Sequence, residues 1–117
     1  MANPASFANG TQTNTVGGGE TSLATVNAAG TYVLSLDTNA LAAGDVLEVR
    51  VYKMTLTSGT SRVAYETAYY GAQPSDDLIK VSLPIANTLT DTTAIEFTLS
   101  QTFGTARAIP WVIEQYT

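Results

Sequence analysis

The sequence predicts an all-β fold: a single antiparallel β-sandwich, jelly-roll-like, with an extended N-terminal arm. Three observations lead there. Apolar and polar residues alternate with a period of two over six segments. Turn residues separate those segments at the roughly 8–12-residue spacing of sandwiches and barrels. Threonine, a β-branched residue that suits a pleated surface, makes up about one residue in six.

Residues 1–19 stand apart from the rest. They carry no charged side chain, few large apolar ones and the run Gly17-Gly18-Gly19, which reads as a hinge. An ordered segment of this composition needs a surface to lie on, because its own apolar area does not offset its ordering entropy. The expectation is an arm over 1–19, docked on a neighbouring subunit in preference to folding back on its own domain, ahead of a sandwich domain over 20–117. Pro4, Phe7 and Val16 are its candidate contact residues.

From Glu20 onward each element has its own signal. A weak strand is expected over Thr21–Asn27. Thr31–Leu36 places Tyr32, Leu34 and Leu36 on one face. At Thr38–Ala43 a short helical turn is expected, capped by Asp37 or Thr38 and ended by a left-handed Gly44. Leu47, Val49 and Val51 read as inward, Glu48 and Arg50 as outward, and residues 46–54 should form a hairpin with 61–70. There Val63, Tyr65, Thr67 and Tyr69 share the inward face. Ile79, Val81 and Leu83 are expected inside, with Lys80 and Ser82 outside. Ile95, Phe97 and Leu99 alternate with Glu96, Thr98 and Ser100. The last strand, Ala106–Gln115, carries Ile109, Trp111 and Ile113 on one face, and Pro110 marks it as an edge or a bulge.

Composition narrows the chemistry. With no Cys there are no disulfides and no thiolate zinc sites, and with no His there is no Ser-His-Asp or Cys-His catalysis. A net charge of −5, with five scattered basic residues, gives no electrostatic drive toward a phosphate backbone, so no nucleic-acid partner is expected. No apolar run approaches the roughly 18 residues of a membrane span, and the first ten residues lack the basic and apolar regions of a signal peptide. Charged residues are only 13% of the chain, about half the usual share. That composition describes a neutral contact surface better than a metabolic enzyme's exterior.

The remaining candidate sites have plainer readings. Glu48, Glu66, Glu96 and Glu114 could supply a carboxylate pair, but all alternate with apolar residues and fall on polar faces, so no catalytic residue is expected. Asp37, Asn39 and Asp45, and separately Asp76 and Asp77, lack the glycine and terminal glutamate of a calcium loop. Turn chemistry accounts for them, and no metal or cofactor is expected. Tyr65 and Tyr69 share the core face. Tyr70 and Tyr116 fall outside the inward pattern and are candidate interface residues.

The run Gln101-Thr-Phe-Gly104-Thr-Ala-Arg107-Ala-Ile-Pro110-Trp111-Val112-Ile113 resembles an ending found in small virion proteins of tailed bacteriophages. There an F-x-L-x-Q-T strand, matched here by Phe97–Thr102, leads through a Gly-Thr-Gly-Arg turn into an aromatic-Pro-Trp-Val strand. This chain departs at Ala106, where glycine is usual, and at Ile109, where an aromatic is common. Leu41 to Tyr69 is also similar, with an A-A-G-D turn followed by a Glu/Arg hairpin. The resemblance implies a non-enzymatic virion protein, assembled in the host cytoplasm. The expectation is a capsid decoration or cement protein that binds the major capsid protein and forms a homo-oligomer, taken as a trimer. The alternative is a tail- or fibre-associated adhesin that binds carbohydrate through Tyr70.

Overall fold

A computed structural model describes residues 4–117. They form nine strands and no helix: β1 (Pro4–Thr13), β2 (Thr21–Val26), β3 (Gly30–Asp37), β4 (Val46–Lys53), β5 (Arg62–Tyr70), β6 (Ile79–Val81), β7 (Ile85–Asn87), β8 (Ile95–Phe103) and β9 (Ala108–Tyr116). Sheet A has the order β1-β9-β3-β6, with β7 also paired to β3, and sheet B the order β2-β8-β4-β5. All pairings are antiparallel. With β6 and β7 sharing one place in sheet A, this is the eight-strand, double Greek-key path of a jelly roll.

The strongest alternating segments lie in the middle of the sheets. Tyr32, Leu34 and Leu36 of β3 face Leu47, Val49 and Val51 of β4 and Ile95, Phe97 and Leu99 of β8, all almost wholly buried. Ile109 and Ile113 of β9 complete the layer, with Trp111 packed at its margin. Each full burial of such an aliphatic or aromatic side chain contributes about 1.5–3 kcal/mol. The buried Tyr32 hydroxyl is satisfied by donating to the Ala28 carbonyl at 2.8 Å and accepting from Gln115 at 3.0 Å.

Four local expectations are corrected. The segment expected as an arm is, over Pro4–Thr13, an edge strand of the sandwich itself, paired with β9 from Pro4↔Tyr116 to Thr13↔Ala108. Ladder hydrogen bonds replace the apolar area the segment lacks. Phe7, at the register shift between Ser6 and Ala8, packs edge-on to Tyr32 with ring centres 5.2 Å apart, so it anchors β1 to this chain's own core. Met1–Asn3, the start of that expected arm, lie outside the described residues. Gly17–Gly19 is a tight crossing between sheets: Gly17 and Gly19 have positive φ, and the Gly17 amide donates to the Gln101 carbonyl at 2.9 Å.

The helical turn expected at 38–43 is two successive turns instead, closed by Leu41 to Thr38 and Asp45 to Ala42 backbone bonds. Thr38 is tied to the Leu78 carbonyl through both its amide and its hydroxyl, which withdraws it from helix geometry. Gly44 does take the left-handed conformation, at φ 88°.

The third correction reverses a whole segment. Ile79, Val81 and Leu83 are exposed, at 55%, 57% and 61%, while Lys80 and Ser82 turn inward. Polar bonding explains the choice. The Ser82 hydroxyl accepts from the Leu34 amide at 3.0 Å, and the Lys80 ammonium reaches Asp77 at 2.9 Å and sits 5.5 Å from the Tyr69 ring centre. Val63 is likewise exposed, because the register shift between Val51 and Tyr52 pairs it with outward Tyr52.

Pro110 is the fourth. Its strand is internal, between β1 and β3, yet the β3–β9 ladder ends at Leu36↔Trp111, one residue short of it. The missing N–H therefore falls where that ladder has stopped.

Candidate functional site

Three regions outside the core gather chemistry: the outer face of sheet B, the buried seam at one end of the sandwich, and the outer face of sheet A. On sheet B, Arg50 in the central strand β4 is the hub. Its guanidinium bonds Glu66 of β5, lies 3.4 Å from Glu20 and 3.5 Å from Glu48. Register places Arg50 opposite Glu66, as the alternation of the hairpin requires. Glu48 faces Ala68, and Arg62 faces Lys53, so Glu48 and Arg62 do not pair across the hairpin. Glu20, just ahead of β2, also accepts from the Tyr52 hydroxyl at 2.8 Å and the Thr98 hydroxyl at 2.7 Å. Burial alone would raise the Glu20 carboxyl, but those bonds and the Arg50 charge hold it below its usual range. The Arg50 pKa is raised, chiefly by its bond to Glu66. Tyr52 is raised by its hydrogen bond to ionised Glu20.

These carboxylates converge on a guanidinium, not on open space. The described residues hold no group of three or more Asp, Glu, His or Cys placed to bind a metal ion.

The seam centres on Asp45, whose side chain is 1% exposed. Its carboxylate accepts from the Ala42 amide at 2.9 Å, the Thr105 amide at 2.9 Å and Arg107 Nε at 2.7 Å. Burial pushes its carboxyl upward, and the two amides with Arg107 outweigh that, leaving it below the ordinary value. Gly104 passes directly over it: a methyl there would collide with the Asp45 carboxylate, and φ is 94°. Buried Gln101 completes the clamp by donating to Phe103 and Thr105 carbonyls and accepting from the Arg107 amide. Asp45 thus binds its own loops. Asp37 similarly accepts from the Asn39 amide, and Asp77 holds Lys80.

Sheet A presents the opposite surface. The exposed row Ile79, Val81 and Leu83 runs along its edge, and Pro110 and Val112 of β9 flank the groove beside Ile79, with Ser35 and Asp37 of β3 between them. The groove encloses about 240 Å³. The row was legible as apolar; its outward direction was not.

Of the candidate interface residues, Pro4 lies exposed at the end of β1, opposite Tyr116, itself on the surface. Val16 is half-buried in the crossing loop. Tyr70 is 72% exposed and faces Val46, whose other neighbour, Phe103, is 66% exposed. Tyr69, one residue away, turns inward, and burial pushes its hydroxyl up to about 12. Compared with family models, curated proteins and solved structures, the chain matches none.

Proposed function

We propose that this chain is a non-enzymatic virion structural protein, of the capsid decoration type, that binds a major capsid protein through the outer face of sheet A. The observation that carries the reading is the row of Ile79, Val81 and Leu83 exposed on one edge of that sheet. Contiguous exposed apolar side chains mark contact surfaces. The phage-like C-terminal run supplies the choice of partner, and the acidic balance suits a surface kept away from packaged DNA. Repetition of a modest contact over a symmetric lattice would give avidity without a deep pocket.

The test uses particles of the virus that encodes the chain. Quantitative mass spectrometry of separated heads and tails should find it in heads at a fixed ratio to the major capsid protein. Its absence from heads overturns the reading. A second reading rests on Tyr70 and Phe103, exposed on either side of Val46, which offer aromatic rings for stacking on sugars in a tail-associated adhesin. Sugar binding by titration calorimetry that is lost in Tyr70→Ala would favour it.

A further inference from the structure

We infer that copies of this chain bind one another head to tail, the β4–β5 hairpin tip of one copy seating in the sheet A groove of the next. The groove has Ile79 on one wall, Pro110 and Val112 on the other, and Ser35 and Asp37 on its floor. Its volume of about 240 Å³ falls below the roughly 300–1,000 Å³ of small-ligand sites. A branched aliphatic side chain fits within it.

The hairpin tip carries such a side chain. Leu56 is 72% exposed, with half-exposed Val63 just below the tip loop, at the start of β5. The tip is held in shape: the Gly59 amide donates to the Leu56 carbonyl, Ser58 to Asp91 at 2.8 Å, and Met54 to Ala94. A pre-shaped projection loses little entropy on docking.

Charge selects the same pairing. Arg50, Lys80 and Arg107 are bonded to carboxylates of their own chain. Lys53 and Arg62 are the two cations with no carboxylate in ion-pair range among the described residues, and they form the last pair of the β4–β5 ladder, directly below the tip loop. The groove holds Asp37, and Asp76 lies in the exposed loop that leads into β6. With Lys53 and Arg62 outnumbering Asp91, a net basic, apolar projection thus meets an acidic, apolar recess.

Chain direction makes the contact intermolecular. Asp37 and Val46 are joined by two turns at the groove end, and β4 runs from there to Lys53 at the opposite end. Projection and groove lie on different sheets at opposite ends, so one copy cannot satisfy itself. Such a contact between unlike surfaces closes into a ring or extends as a filament. It occupies Ile79 and leaves Val81 and Leu83 of the exposed row for a capsid, and it stands whether or not a capsid is the target.

Sedimentation velocity on the full chain tests it. The wild type should associate with rising concentration, and Leu56→Asp and Ile79→Asp should each weaken association by about tenfold or more. Both should keep the wild-type circular dichroism spectrum. Should either aspartate unfold the chain, Leu56→Ser and Ile79→Ser carry the same test. An equimolar mixture of the two variants should form a dimer and stop there, because each keeps one intact half. A wild type that stays monomeric to millimolar concentration overturns the inference. So does a mixture that stays monomeric, or association lost in Ile79→Asp but unchanged in Leu56→Asp.

Discussion

Sheet B turns outward a guanidinium ringed by three carboxylates, whereas sheet A turns outward Ile79, Val81 and Leu83 beside Pro110 and Val112. Both faces cover the same core. On sheet B the polar groups find partners within the chain, so that face is largely complete by itself. On sheet A Lys80 of β6 and the following Ser82 are turned to the inner side, Lys80 bonding Asp77 at the surface and Ser82 accepting from Leu34, which leaves Ile79, Val81 and Leu83 without cover. An exposed apolar surface can thus follow from neighbouring polar groups finding their partners within the chain. The difference also separates what holds the molecule together from what is left to meet another.

The largest expected effect lies at the seam beneath both faces. Asp45→Ala strands Arg107 and two amides, and should cost about 3–5 kcal/mol in chemical denaturation. Gly104→Ala should also destabilise strongly through its collision with Asp45. If Asp45→Ala leaves the denaturation midpoint unchanged, the seam is not what joins the sheets at that end.

Acid should reveal the same residue. The folded Asp45 carboxyl lies below its ordinary value of about 3.9. Its contribution is therefore complete above that value and is lost as pH falls through the lower native one. Glu20, also depressed, adds to the same trend. Melting temperature should hold from neutral pH to about pH 5 and drop below about pH 4. Asp45→Asn should flatten part of that drop; an unchanged profile would remove Asp45 from the account.

Arg50→Met tests sheet B directly. It leaves Glu20, Glu48 and Glu66 without their shared cation, yet the group is partly exposed, so the loss should be about 1 kcal/mol or less. Salt should stabilise the variant by screening the carboxylates, a response to measure by melting at increasing ionic strength.

The smallest effect on stability belongs to sheet A. Val81→Ser and Leu83→Ser should fall within about 0.5 kcal/mol of the wild type. On the proposed capsid-binding role, attachment to particles should nonetheless drop. A variant that binds as before would deny this face its role in contact.

Much of the sandwich was legible in the sequence, since β3, β4 and β8 alternate large apolar with polar residues and are covered on one side. Edges were harder. In β6 the alternation was plain, but a period of two defines two faces without saying which is buried, and the bonds of Lys80 and Ser82 decided it. In β1 small and polar residues hid a strand whose stability comes from its ladder with β9 and from Phe7. Asp45 read as a turn residue because its partner, Arg107, is brought to it only by the folded topology. The exposure of Tyr70 was legible, as it breaks the inward pattern of Tyr65 and Tyr69.

The pairing of β1 with β9 has a consequence in time. Pro4 is matched to Tyr116, more than a hundred positions away, so that ladder closes across almost the whole chain. Contacts of such separation pay loop-closure entropy first and slow the search for the native state. During synthesis β1 emerges first and waits, unpaired, until its partner leaves the ribosome. Its lack of bulky apolar residues, Phe7 apart, keeps that waiting segment from being a sticky strand. The bland composition of β1 is then a safeguard for a strand whose ladder cannot close until β9 has been made.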